Sequence, residues 1–243
     1  MFINAIIADL MQLAFPYRIK EKQLWLSPGR CIFWEEQKSL IVSDLHFGKT
    51  GHFRKAGIAV PQAVYKEDLQ RLFEQIQYFQ PEKLIIVGDL FHSLLNRELE
   101  LFRKWREDLP DLVIHLIKGN HDILEDEWYL KANIFVNQEK LLVDDICFIH
   151  DIHQVKISKP VKTPARGIHP EYPAPAYFFS GHLHPGIRIN GSGKQSLCFP
   201  CFHFGKYYAV IPAFSRFTGV AMIQPDTGEN VFAIVENKVM QLQ

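Results

Sequence analysis

At 243 residues with 47% hydrophobic content, the chain is long enough to bury a single large core, and one domain over 1–243 is the expected organisation. Its 27 Lys and Arg balance its 27 Asp and Glu, which excludes a global basic field, so any grip on nucleic acid has to come from a local patch. No apolar stretch approaches the ~20 residues that span a bilayer, and four cysteines are too few for a disulfide framework in a chain of this length, so a soluble cytoplasmic protein is expected.

The apolar run 2–13 holds Asp9 and lacks a basic leader or a small-residue cleavage site, and is expected to form a short helix or strand. Residues 22–42 alternate apolar and polar groups around Ser27-Pro28-Gly29, the pattern of a hairpin leading into a strand at 40–42. In 61–80, Val64, Leu69, Leu72, Phe73, Ile76 and Phe79 recur near helical spacing until Pro81 stops them. A strand at 84–87, a second amphipathic helix at 98–108 closed by Pro110, and a strand at 112–117 follow.

Two more apolar, β-prone stretches stand at 146–149 and 177–179. Between them Pro160, Pro164, Pro170, Pro173 and Pro175 exclude helix and central strand, so a long loop is expected there. Its Lys156, Lys159, Lys162 and Arg166 could meet a phosphate backbone, although solvated loop charge is the commoner explanation. The final third, 196–239, has short apolar segments and turns such as Asp226-Thr227-Gly228, which fits a second sheet closing a sandwich. Alternation of strand and helix gives an α/β class: two sheets flanked by helices.

Each of the five apolar stretches runs into side chains that bind metals. Asp44 and His46 lie in SDLHFGK, Asp89 in VGDLFHS, Asn120 and His121 in KGNHD, His150 in FIHD, and His182 and His184 in SGHLHPG. If the stretches are buried strands, the ligands emerge together at strand carboxyl ends, where open α/β sheets place their sites. Two carboxylates, an amide and four or more imidazoles are enough for two divalent ions that share a bridge. Two such ions facing two carboxylates would leave about two units of positive charge, which favours an anionic phosphate and a deprotonated water.

This order of runs resembles the calcineurin-like metallophosphoesterase superfamily, whose pattern is DxH, GDxx, GNH(D/E), H and GHxH. The resemblance implies that Asp44, His46, Asp89 and His184 hold one metal and that Asp89, Asn120, His150 and His182 hold the other. Asp89 would be the bridge, and the dinuclear site would sit at strand carboxyl ends. Ligands of this kind, without thiolate, suit manganese, iron or zinc. It also implies that His121 is a general acid or phosphate-binding imidazole, with Asp122 beside it to orient the ring. His92 stands where many members have Asn or Asp, which keeps a polar group near Asp89 and makes it a candidate substrate contact. Because Asp151 follows His150 where glycine is frequent, His153 stays open as a substitute ligand.

The longer runs SDLHFGKTGHFRKAGIAVP, GDLFHS, KGNHD, GHLHPG and IPAFSRFTG are similar to those of the ligase-associated metallophosphoesterases, from about Arg30 to Gly219. That likeness implies manganese-dependent phosphodiester or DNA endonuclease cleavage in DNA damage repair, on single-stranded or damaged DNA, in functional association with DNA ligase and helicase. Ser215 departs from the glycine expected in IPAFSRFTG. Lys49, Arg54 and Lys55 could bind phosphates flanking the scissile bond, with Phe47 or Phe53 stacking on bases, although both aromatics are more simply core. Hydrolysis of a small nucleotide and a non-catalytic scaffold are the competing functions; a scaffold has no chemical need for the full ligand set. Among the other histidines, His115 is expected to pack within its strand and His52 and His169 to lie in loops. His203 follows a CxxC at Cys198 and Cys201, but with no fourth ligand these cysteines are expected to be core thiols.

Overall fold

The structure is a computed structural model that describes residues 14–48, 63–92, 97–154, 177–191 and 195–243. A meander of four antiparallel strands opens it: β1 (Phe15–Ile19), β2 (Lys22–Ser27), β3 (Cys31–Trp34) and β4 (Ser39–Val42). From β4 onward the neighbours are parallel, through β5 (Lys83–Val87), β6 (Val113–Ile117) and β7 (Ile134–Asn137). The crossovers carry α1 (Ala63–Phe79), α2 (Arg97–Glu107) and α3 (Asp126–Lys131). Parallel strands need such long connections, and the strand spacing and helical periodicity of the sequence anticipate α1 and α2 to within a residue or two.

A second sheet holds β8 (Lys140–Val143), β9 (Ile146–Ile149), β10 (Tyr177–Ser180), β11 (Pro185–Asn190), β12 (Ser196–Phe204), β13 (Tyr208–Val210) and β14 (Ala221–Met222). Its order is β14-β11-β12-β13-β10-β9-β8, with β15 (Asn230–Val235) added to β12 and β16 (Lys238–Gln241) to β15. The expected second sheet is therefore larger than the final third of the chain. The ligand strands β9 and β10 pair with each other in parallel inside it rather than extending the first sheet.

Side-chain alternation builds the two cores. Leu40, Val42, Leu84, Ile86, Ile114 and Leu116 face one way and cluster with Leu72 and Ile76 of α1 and Phe102 of α2. Ile41, Ile85, Val87 and Ile117 face the other way and cluster with Phe148, Phe179, Phe202, Phe204 and Phe232 of the second sheet. Strands covered on both faces read as continuous apolar runs, which is why LIV and LIIV stood out in the sequence. Residues 126–143 gave no sequence signal: α3 has six residues and only Tyr129 buried, too short for a period to register. The apolar run 2–13 and the proline-rich stretch at 155–176, where a long loop is expected, lie outside the described residues. No helix among the described residues is long and apolar enough to cross a membrane.

Phe148 is fully buried between the sheets with its ring 5.6 Å from that of Phe179, whereas Phe135 on β7 is 61% exposed. Phe148→Ala is expected to lower unfolding free energy in urea by about 3–5 kcal/mol, and Phe135→Ala to stay within about 0.5 kcal/mol of the parent.

Candidate metal centre

Every ligand run sits where a strand ends. Asp44 and His46 follow β4, Asp89 follows β5, Asn120 to Asp122 follow β6, His150 follows β9, and His182 and His184 follow β10. The loops are stitched to one another by backbone. Asp44 N donates to Gly88 O at 3.1 Å, His46 N to Asp89 O at 2.8 Å, and Gly181 N to His150 O at 3.0 Å. Asp44, His46, Asp89, His182 and His184 all have φ between +46° and +64°. Residues other than glycine are uncommon in this left-handed region, though Asp and His enter it more readily than most, and five of them in one cleft mark tightly turned loops held by their surroundings.

Donor atoms converge in two groups. In the first, Nε2 of His184 lies 3.3 Å and Nε2 of His46 4.0 Å from Oδ1 of Asp44, and the two imidazole nitrogens face each other at 3.5 Å. In the second, Nε2 of His150 lies 3.4 Å from Oδ2 of Asp89, 3.1 Å from Oδ1 of Asn120 and 3.3 Å from Nδ1 of His182. The same Oδ2 of Asp89 is 3.8 Å from Nε2 of His46, so this carboxylate stands between the groups. His150, rather than the exposed His153, faces Asp89.

The arrangement fits cations better than it fits protons. Oδ2 of Asp44 accepts from the Ser43 hydroxyl and, at 3.0 Å, from the His182 amide, while the fully buried Oδ1 takes no hydrogen bond and points at two imidazoles. A buried carboxylate oxygen left this way calls for an ion. In the metal-free protein, burial would push the Asp89 carboxyl up, but hydrogen bonding and charge from His150, the His121 amide and His46 hold it at about 2. Burial likewise depresses His150, yet Asp89 and Asp44 carry it up to about 9. Carboxylate and imidazole thus favour each other's charged forms, and a cation bound there would have to displace the imidazole's proton. Asp44, His46 and His184 could hold one ion, and Asp89, His150 and His182, with Asn120, a second.

Three glycines make room for these side chains. A Cβ on Gly88, whose φ is +80°, would come 1.9 Å from Nδ1 of His150; one on Gly119 would come 2.2 Å from Oδ1 of Asp89; one on Gly181 would meet the Ser43 hydroxyl and Asp44. Ser43 and these glycines were missed as working residues from sequence. Their signal was position alone, since each glycine directly precedes a ligand.

His121 is half-buried, its amide donates to Oδ1 of Asp89 at 2.9 Å, and its ring lies 4.2 Å from that of His92 and 5.4 Å from that of His46. His92 is thereby brought to the site. Asp122 corrects an expectation. Instead of turning to the His121 ring, its Oδ1 accepts from the Phe91 amide at 3.1 Å and its Oδ2 from the Gly119 amide at 2.9 Å. It staples the β5 and β6 loops together, and burial raises its carboxyl to about 6 against those two amides. Lys49, Arg54, Lys55, Phe53, His52 and His169 lie outside the described residues. Phe47 is core, packed on Phe91 and Phe102. His115 stacks on Phe135, and His203 pairs with Glu229 at 2.7 Å. Cys201 is buried as expected, but Cys198, at the outer end of β12, is exposed and not a core thiol.

A two-sheet sandwich with paired Asp and His clusters at its strand ends defines a metallophosphoesterase. Residues 38–157 match the family model of the calcineurin-like phosphoesterases, so the chain carries a calcineurin-like phosphoesterase domain, which supports a metal-dependent phosphoester hydrolase. Among solved structures it is similar to the crystal structure of Pseudomonas putida nuclease MPE, with a TM-score of 0.73 at 24% sequence identity, covering 94% of this chain and 100% of that one. At that identity the likeness speaks for the fold. A search of the curated proteins found no match.

Gly88→Ala puts a methyl group into His150 at a positive φ, whereas Gly219 has nothing within 4 Å of its Cβ position. Gly88→Ala is expected to weaken divalent-metal binding, read by calorimetry, by about tenfold or more, and Gly219→Ala to leave it unchanged.

Proposed function

We propose that this protein is a dinuclear phosphodiesterase that cleaves DNA internally, with manganese as its metal, in DNA repair. The observation that carries the two-metal reading is the place of Asp89, whose Oδ2 lies within 4 Å of an imidazole from each ligand group. Divalent ions held there would draw in an anionic phosphodiester, lower the pKa of water and steady the entering and leaving oxygens.

The chain's own groups supply the rest. Asp44, His46 and His184 would hold one ion, and Asn120, His150 and His182 the other, with Asp89 shared. The His121 imidazole, set beside the ligands by the hydrogen bond its backbone N–H donates to Asp89, would protonate the leaving alkoxide. His92 packs against that ring and would restrict how it turns, while contacting a flanking phosphate. Nitrogen and oxygen donors without thiolate fit manganese, with iron or zinc as compatible ions.

DNA as substrate is supported by the ligase-associated motifs and by a fold shared with Pseudomonas putida nuclease MPE. Lys49 and Arg54 would bind phosphates on either side of the cut, which a chain of zero net charge needs from a local source. Single-stranded or damaged DNA, work alongside a DNA ligase and a helicase, and a cytoplasmic setting complete the proposal. The four free cysteines fit a reducing compartment.

The test is manganese-dependent cleavage of circular single-stranded DNA by the parent and by Asp89→Asn. Linearisation by the parent and none by the variant is the expected result. An intact circle, with a generic phosphodiester still hydrolysed, would move the substrate to DNA ends or small nucleotides. Equal activity in Asp89→Asn would remove the shared carboxylate from the account.

A further inference from the structure

The loop 211–219 carries the one departure from the expected motif, Ser215, and the structure shows what that hydroxyl does. Ser215 Oγ donates to Oδ2 of Asp68 at 2.9 Å, a carboxylate 3% exposed on α1. The other oxygen of Asp68 pairs with Arg71 at 2.8 Å, one turn along the same helix and also buried. Arg71 reaches on to the Phe214 carbonyl at 2.5 Å, with its guanidinium 4.3 Å from the centre of the Phe214 ring. From the β2–β3 turn, Arg30 donates to the carbonyls of Ala213 at 3.2 Å and Ser215 at 2.9 Å. Two guanidiniums, one from the β2–β3 turn and one from α1, thus fix three consecutive peptide carbonyls, and the Asp68 carboxylate holds the side chain of the last.

Those peptides hold the first ligand loop. Phe214 N donates to Ser43 O at 2.7 Å, and Ser215 N donates to Asp44 O at 3.2 Å. Asp44 has φ +53°, in the left-handed region, where a side-chain-bearing residue is uncommon and usually held by its surroundings. Ser43 in turn orients the Asp44 carboxylate through its hydroxyl. A continuous path of hydrogen bonds therefore runs from α1 through 213–215 to the Asp44 side chain. Hydrogen bonds behind a metal ligand commonly govern its affinity.

We propose that Asp68, Arg71 and Arg30, acting through the backbone of Ala213 to Ser215, are positioning residues that hold Asp44 in its metal-binding conformation, and that Ser215 is this chain's added link to that clamp. The clamp touches neither substrate nor metal. Its effect falls on the group of Asp44, His46 and His184 and spares the group of Asp89, His150 and His182. The inference rests on the reading of Asp44 as a ligand.

Manganese titration followed by the electron paramagnetic resonance signal of the free ion reads both sites directly, without turnover. The parent is expected to bind two ions and Asp44→Asn one. Asp68→Asn and Arg71→Lys are expected to keep two sites, with one weakened about tenfold and the other unchanged, and Ser215→Ala to weaken that same site by less. Two undiminished sites in Asp44→Asn would show that Asp44 is not a ligand and would overturn the reading beneath the proposal. Parent-like affinity at both sites in folded Asp68→Asn and Arg71→Lys, or equal weakening of both sites, would overturn the clamp alone. Should neither variant give a folded circular dichroism spectrum, Ser215→Ala decides: selective weakening supports the clamp, and unchanged binding overturns it.

Discussion

Two carboxylates and four imidazoles face one another in this cleft at distances of 3.3 to 4.0 Å across and within the two groups, and the rest of the structure is arranged to hold them there. Nitrogen facing nitrogen and a bare buried oxygen are costly unless a positive charge settles between them. In the metal-free protein the His150 imidazole and the Asp89 carboxylate favour each other's charged forms, which holds the carboxyl at about 2 and the imidazole at about 9. Divalent ions would supply that positive charge and give the tightly turned loops a reason to exist.

Holding such a site requires rigidity on two sides. Strands β4, β5 and β6 deliver Asp44, His46, Asp89 and Asn120 from one sheet, and β9 and β10 deliver His150, His182 and His184 from the other. The aromatic core between the sheets fixes their separation, while Gly88, Gly119 and Gly181 let the loops approach closely enough for the side chains to meet. Asp122 contributes as a staple between the β5 and β6 loops, and the Asp68–Arg71–Arg30 clamp supports the β4 loop from behind. Ligand geometry is thus set by packing and backbone bonds more than by the ligands themselves.

The parts of this arrangement that were legible in the sequence are those with a local signature. Continuous apolar runs announced β4, β5, β9 and β10, and helical spacing with terminal prolines announced α1 and α2. The candidate ligand residues stood out because each lies within a few residues of a strand end. Other features depend on partners far along the chain. Asp122 looks like a neighbour for the His121 ring until the fold brings the Phe91 amide to it, 31 positions away. Asp68, Arg71 and Gln75 resemble the polar side of an amphipathic helix, yet all three are buried, because the 211–219 loop and the β2–β3 turn cover that face. The assignment of β9 and β10 to the second sheet also has no local marker, since a parallel strand buried on both faces looks the same in either sheet.

Crystals grown with manganese and measured for anomalous scattering at the manganese edge would test the central claim most directly. The account predicts two peaks about 3.5–4 Å apart, one among Asp44, His46 and His184, one among Asn120, His150 and His182, and Asp89 in contact with both. A single peak, or two that do not share Asp89, would contradict it.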